Sequence, residues 1–178
     1  MRVHGVARDN ASGKVELPIK SLRDNIWLDS RPPGDPVKIV RTRIEFETVE
    51  PIQTLDVTGQ VRDWLKTTGI REGLLTVTSP HTTARVNVNE REPQLQKDMV
   101  TWLKRFVPRD GDWLHNLVAV DGRDNAHSHI LGLLMNATES VAVADGAMAL
   151  GEWQAIFFIE LDGPRERRGL ELQIMGVA

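Results

Sequence analysis

The stretch from Ser140 to Val177 reads SVAVADGAMALGEWQAIFFIELDGPRERRGLELQIMGV. It contains three runs rich in β-branched, aromatic and aliphatic residues: Ser140 to Val143, Met148 to Leu161 and Leu170 to Val177. Runs of this kind favour strands. Asp145-Gly146 and Asp162-Gly163-Pro164 stand between them, and these residues suit tight turns because Gly adopts positive φ and Pro fixes its own. Strands joined by short turns pair antiparallel, whereas parallel pairing needs a long crossover. The stretch therefore predicts a β-meander. That decides for α+β with antiparallel sheet, and against a wound βαβ fold.

Upstream, Ile130 to Met135 suits a short helix, and residues 115–128 are polar and His-rich, which predicts a loop. Glu92-Pro93 opens a helix with Leu95, Met99, Trp102, Leu103 and Phe106 on its apolar face. Proline suits a first turn because its missing N–H would be unpaired there. Pro108 to Asp112 end this helix. Leu74 to Thr78, opened by Gly73, and Thr82 to Val88 are two strands with Pro80 and His81 in the turn. Thr54 or Asp56 is the expected N-cap of an earlier helix carrying Val57, Val61, Trp64 and Leu65, stopped by Gly69. Alternation from Lys38 to Phe46 predicts a strand. Residues 1–36 hold no sustained period beyond a short strand at Val15 to Ile19, and they end in Arg31-Pro32-Pro33-Gly34-Asp35-Pro36. Such a cluster breaks helix and sheet. We read 1–36 as an extension with a Pro-rich linker and 37–178 as one domain.

A chain of 178 residues with 40% hydrophobic and 26% charged residues suits one globular domain. Its net charge of −3 and pI of about 6.0 argue against a nucleic acid partner. There is no cysteine, so disulfides, thiolate nucleophiles, iron–sulfur clusters and thiolate zinc sites are excluded. A metal would have to be held by imidazole and carboxylate. The N-terminus lacks the apolar run of a signal peptide, and no stretch is apolar enough for a bilayer span, so the expectation is a cytoplasmic protein with no membrane partner. Tyrosine is absent, while five tryptophans and four phenylalanines are present. The indoles are therefore expected in the core or at an interface. Phosphate-binding and dinucleotide glycine loops, the His-Glu-x-x-His helix and the Gly-x-Ser-x-Gly elbow are all missing.

Four of the five histidines, His81, His115, His127 and His129, lie in the middle of the chain. In an extended backbone His127 and His129 would point to one side. Imidazoles converging from separate loops can form an open metal site or an acid–base cluster. Glu90, Glu92, Asp98, Asp121 and Asp124 are nearby carboxylates that could ligate, orient or move a proton. The plainer alternative is a set of solvated loop histidines. Asp162 to Arg168 follows a tight turn with three arginines, which could present forks to phosphate or form a solvated charged turn. Gly151-Glu152-Trp153-Gln154 suggests a bulge with a buried amide at Gln154, or a Trp153 that fills the core.

These stretches, taken together and in order, resemble the YjbQ-like family, described as secondary thiamine-phosphate synthases. Pro80-His81-Thr82-Thr83-Ala84 is similar to its His-Thr-Thr-Ala segment, and Asn89-Glu90 with Pro93 and Asp98 to its Asn-Glu…Pro…Asp pattern. His115 with Asn125-Ala126-His127-Ser128-His129 resembles its His…Asn-x-x-x-His stretch. Gly151-Glu152-Trp153-Gln154 resembles its Gly-Thr-Trp-Gln signature, and Asp162-Gly163-Pro164-Arg165-Glu166-Arg167 its closing Asp-Gly-Pro-Arg-x-Arg. The resemblance runs from about Lys38 to the C-terminus. It implies an antiparallel β-sandwich or barrel-like core with two or three helices, a homotrimer, and a weak transferase activity that joins a thiazole phosphate to a pyrimidine diphosphate and releases pyrophosphate.

On that footing His81, Glu90, Asp98, Asn125 and His127 are the expected catalytic residues. Thr82, Thr83, Trp153, Gln154, Arg165 and Arg167 would bind a small phosphorylated substrate. His81, His115 and His129 would hold a divalent metal, zinc or magnesium, with no other cofactor. The alternative is a non-catalytic oligomeric module that binds a phosphometabolite or anion. Glu152 departs from the family's threonine, and the extension lies outside the family core.

Overall fold

The computed structural model describes residues 36–178. The expected strand at Val15 to Ile19 and, apart from Pro36, the expected extension lie outside the described residues. In chain order the elements are β1 (Lys38–Thr48), β2 (Gln53–Asp56), α1 (Thr58–Thr68), β3 (Glu72–Thr78), β4 (Ala84–Glu90), α2 (Pro93–Phe106), α3 (Leu114–Leu117), α4 (Ala126–Gly132), β5 (Thr138–Ala144), β6 (Ala147–Met148), β7 (Gln154–Glu160) and β8 (Arg165–Val177). They form two antiparallel sheets, β1-β8-β3-β5-β6 and β2-β7-β4. This is the expected α+β class.

Burial follows the two-residue period of the strands. Leu75, Val77, Val141, Val143, Leu172 and Ile174 of the larger sheet meet Val86, Ile156 and Phe158 of the smaller one, and Val61 and Leu65 of α1 join them. Phe158 is fully buried. Its ring takes the edge of Phe46 at 4.7 Å, a geometry worth about 0.5–1.5 kcal/mol beyond the area removed from water. The opposite face of β7, through Ala155, Phe157 and Ile159, packs with Leu103 of α2 and Leu131 of α4 in a second cluster. β7 is therefore the wall between two cores.

That role corrects the expected meander. Asp145-Gly146 does make a hairpin, pairing Val143 with Met148 and taking positive φ at both turn residues. Met148 to Leu161 is not one strand: the chain leaves the larger sheet after β6, turns at Gly151, and enters the smaller sheet as β7. Asp162-Gly163-Pro164 then carries it back to β8, between β1 and β3. A continuous apolar run with no polar alternate residue has no solvent face, so it belongs in the interior of a two-sided packing.

The helix signals need adjustment: the stretch 115–128, expected as a loop, carries most of α3 and the start of α4, and the helix expected at Ile130 to Met135 is α4, which ends at Gly132. Gly69 ends α1 in the left-handed conformation at φ 69°. Thr54 and Asp56 lie in β2, not at the cap, although the Asp56 carboxylate still accepts the Thr58 N–H at 2.9 Å. Glu92 caps α2 by accepting the N–H groups of Gln94 and Leu95, with Pro93 in the first turn. Only Leu103 of the expected α2 face is fully buried. Trp102 and Phe106 stack at 4.7 Å and stay 51% and 54% exposed. Trp153 is exposed too, so of the two places expected for the indoles, core or interface, the core is ruled out for it.

Candidate functional site

Strand alternation turns Glu160 toward the sandwich interior, on the same side as Ile156 and Phe158. A carboxylate there must be paired, and its partner comes from β8. Between Phe46↔Arg168 and Thr48↔Arg165 the β1–β8 register slips, with one extra residue on β8. Such a bulge re-aims side chains, and Arg168 is buried while Glu166 and Arg167 face solvent. Arg168 donates from Nε and Nη2 to the two Glu160 oxygens at 2.7 and 2.6 Å. Nη2 also reaches Thr83 Oγ1 at 3.0 Å, and the Thr48 hydroxyl donates to Glu160 at 2.9 Å. One residue on, the Gly169 N–H donates to His81 Nε2 at 3.1 Å. The neutral His81 ring therefore carries its proton on Nδ1.

Asp162 is the second buried carboxylate, just beyond β7. Arg123 donates to it through Nε and Nη2 at 3.2 and 3.0 Å, and Arg165 pairs with it from the other side. Asn125 Nδ2 donates to it at 3.0 Å. That bond fixes the Asn125 amide, so its Oδ1 accepts from His115 Nε2 at 3.0 Å. The His115 and His129 rings meet edge to face at 5.1 Å. The chain Asp162–Asn125–His115–His129 thus runs from a buried anion to a partly exposed imidazole pair.

His127 and His129 sit on a helix, α4, where a spacing of two separates side chains by about 200°. The expectation of a shared side assumed an extended backbone and is corrected. The two diverge: His127 is 5% exposed. Ser128 Oγ donates to the Leu161 carbonyl at 2.5 Å, so His127 Nε2 must be the donor in its 3.2 Å contact with that oxygen. Nδ1 is then a bare lone pair, buried and without a partner among the described residues.

Burial lowers the pKa of His81, helped by the charges of Arg168 and Arg43. Burial does the same at His127, with Arg109, and at His129, with His115. For Asp162 burial pushes upward, but the bonds from Arg123 and Asn125 and the charge of Arg165 outweigh it and hold the carboxyl below its usual range. Each of the three histidines binds a proton more readily unfolded than folded, so stability rises with pH in that window. Their contribution is complete above about pH 6.5, the unfolded value, and is lost as pH falls through the lower folded values. Asp162 adds a second acid step below about pH 3.9. Urea midpoints at about pH 7.5 and about pH 5.5 should show a clear drop on acidification, and an unchanged midpoint would mean that the histidines are solvated.

The expected site residues fall into separate places. Thr83 and His81 stand at the Glu160–Arg168 pair, while Asn125, His115, His129 and Arg165 belong to the Asp162 chain, and Arg167 and Thr82 are exposed nearby in sequence. Glu90 pairs in register with Gln154 at the opposite end of β4 and β7, about 20 Å from Glu160 at strand rise. Gln154 is exposed there, next to Trp153, and its Oε1 accepts the Gly151 N–H at 2.7 Å. Asp98 lies on α2, in a groove with Asn87 and Asn89. For a metal, the structure brings His115 and His129 together, while His81 is held by Gly169. No group of three or more candidate ligands forms among the described residues. Glu160 and Arg123 are site residues that no expected motif includes. The signal for Glu160 was present: a lone charge on the inward register of an apolar strand.

The fold and these clusters define a class: a small antiparallel α+β sandwich with a buried Arg–carboxylate end and a histidine pair. Residues 42–177 match the family described as UPF0047 protein YjbQ-like, and the chain belongs to that family. It is 39% identical over 132 residues to a UPF0047 protein of Methanothermobacter thermautotrophicus, covering 74% of this chain and 90% of that one. It is 34% identical over 126 residues to UPF0047 protein YugU of Bacillus subtilis, covering 70% and 91%. Among solved structures, a YbjQ-like protein of unknown function from Sulfolobus solfataricus P2 superposes with a TM-score of 0.75 at 33% identity, covering 79% of this chain and 99% of that one. A hypothetical protein from Aeropyrum pernix K1 gives a TM-score of 0.72 at 42% identity, covering 77% and 98%.

Proposed function

We propose that the chain binds and transforms a small phosphorylated molecule at the Asp162 chain. One observation carries the reading: two guanidiniums, Arg123 and Arg165, share the single carboxylate of Asp162. The cluster keeps a net positive charge, and each planar fork has N–H groups beyond those engaged with Asp162. Guanidinium forks match phosphate oxygens in this way. Beside them His115, its Nε2–H engaged by Asn125, keeps a bare Nδ1. His129, neutral near pH 7 because of its lowered pKa, can accept or relay a proton.

The finer reading is thiamine-phosphate synthase chemistry. The thiazole nitrogen forms a bond to the pyrimidine's methylene carbon while the bond from that carbon to the diphosphate oxygen breaks, and pyrophosphate leaves with the electron pair. Fixed cations that meet the developing charge supply the needed stabilisation, and Arg123 and Arg165 are the residues for it. In place of that proton role, a divalent ion held by His115 and His129 would supply Lewis acidity. Two imidazoles suit zinc better than magnesium, which prefers oxygen ligands. Its remaining ligands would come from phosphate oxygens.

A binding module without turnover is the second reading, favoured by one observation: Glu90, Gln154 and Asp98 stand away from the histidines. A homotrimer working in the cytoplasm completes the proposal; exposed Trp153, Leu114 and Val120 are suitable surface for association. No helix among the described residues is long and apolar enough to cross a membrane.

Calorimetry with pyrophosphate on the full chain tests the site. Arg123→Ala and Arg165→Ala should each weaken binding by about tenfold or more, whereas His129→Ala should keep binding and the fold but lose turnover. Light scattering of the same samples reports the assembly. Equal affinity in wild type and in the double arginine variant would refute the site. Binding with no chemical change in any thiazole phosphate and pyrimidine diphosphate mixture would favour the module.

A further inference from the structure

The outer face of the smaller sheet carries a groove of about 390 Å³, within the size range of small-molecule sites. Ile159 of β7 and Leu103 line it, Leu95, Met99 and Trp102 of α2 form one side, and Leu134 and Met135 form the other. Its polar groups are few and specific. On β4, Val86 and Val88 turn into the sandwich, so strand alternation turns Asn87 and Asn89 outward into the groove. Asp98 reaches it from α2. None of these side chains belongs to the Asp162 chain.

The bonds already made fix what the groove offers. Asn89 Nδ2 donates to Asn87 Oδ1 at 3.2 Å, and Asn89 Oδ1 accepts the Glu90 N–H at 2.8 Å. Each amide carbonyl already accepts one bond, while both N–H groups of Asn87 and one of Asn89 have no partner among the described residues, so the pair presents mainly donors. Asp98 is a carboxylate, an acceptor when ionised. A matching ligand therefore needs an acceptor toward the asparagines and a donor toward Asp98, on a body that is otherwise apolar. Trp102 adds a shape condition. Phe106 stacks on it with the planes 16° apart, yet Phe106 does not line the groove. The groove thus meets an indole already held by a neighbour one turn along the helix, a platform for a flat ring.

We infer that this groove binds a planar heteroaromatic amine, with a ring nitrogen accepting from the asparagine amides, an exocyclic amino group donating to Asp98 and the ring lying against Trp102. Adenine and hypoxanthine are the probes, because they share ring size and differ in the amino group. The experiment is an NMR titration of the isotope-labelled full chain, read at the Trp102 indole N–H and the Asn87 and Asn89 side-chain amides. Adenine should shift these signals and bind about tenfold tighter than hypoxanthine, since a site built for a hydrogen bond rejects the analogue that lacks it. Asp98→Asn should remove the preference, and Trp102→Ala should abolish binding of both. Trp102 and Asp98 are exposed, so neither change threatens the fold. Equal binding of the two bases, shifts that survive Trp102→Ala, or no shift at millimolar base would each overturn the inference. So would groove signals that move with protein concentration and not with adenine, because a second copy of the chain would then be the occupant.

Discussion

Replacing Glu160 by alanine should cost about 3–5 kcal/mol, the usual loss when one partner of a buried ion pair is removed. Glu160 has no exposed surface, and Arg168 is 6% exposed. The change would strand the Arg168 guanidinium, the Thr48 hydroxyl and the Asp162 N–H, which donates to Glu160 Oε1 at 2.9 Å. Against a total stability of about 5–15 kcal/mol for an ordinary domain, the variant should unfold at much lower urea. The pair itself is a different matter, because two desolvated charges seldom gain more than they cost. The double variant Glu160→Leu with Arg168→Met should therefore recover most of the loss, provided the apolar side chains fit. Chemical denaturation of the three proteins decides it. A single variant that loses less than about 1 kcal/mol would mean that water reaches the pair.

The second large effect is steric and lies where β3 and β8 pair at one end of the larger sheet. Gly73 and Gly176 are register partners, and a Cβ at Gly176 would sit 2.1 Å from the Glu72 carbonyl oxygen and 2.8 Å from the Gly73 Cα. Both are backbone atoms and cannot swing aside, so the strands would have to part. Gly176→Val should cost about 3 kcal/mol or more, at the upper end of overpacking, and broaden the unfolding transition as the paired ends of β3 and β8 loosen. Gly59 is the control. It lies in α1 with nothing within 4 Å of a built Cβ, so Gly59→Ala should stabilise by about 0.4–1 kcal/mol through helix propensity and a less disordered unfolded chain. If both substitutions were neutral, the close approach of β3 and β8 would be wrong.

What could be read in advance depended on whether a feature was local. The Asp145-Gly146 hairpin, the Gly69 stop and the Glu92-Pro93 start each rest on a few neighbouring residues, and each is found. The partner of β7 was not legible, because an apolar run states that both its faces are buried without saying against what. The site divides in the same way. Asn125, His115 and His129 come together, since a short helix and its preceding turn bring them close. Glu90 and Gln154 meet each other across β4 and β7, but β-strand length keeps them from the histidines. His127 parts from His129 because the backbone there is helical, and a spacing of two shares a side only in an extended chain. The bulge that turns Arg168 inward leaves no sequence signal stronger than a Gly at 169.

β7 also constrains how this chain can change over time. Its residues line two cores in strict alternation, so inserting or deleting one residue would exchange the two linings and drive Glu160 out of the sandwich. Substitution by a side chain of similar volume is open to it, but a change of length is not. Length variation in this architecture is thereby pushed outward to the connections that touch neither core nor the Asp162 cluster, such as residues 118–120 just after α3, where added chain costs only a slowly growing loop entropy. The strand acts as the ruler against which the rest of the molecule is free to be trimmed or extended.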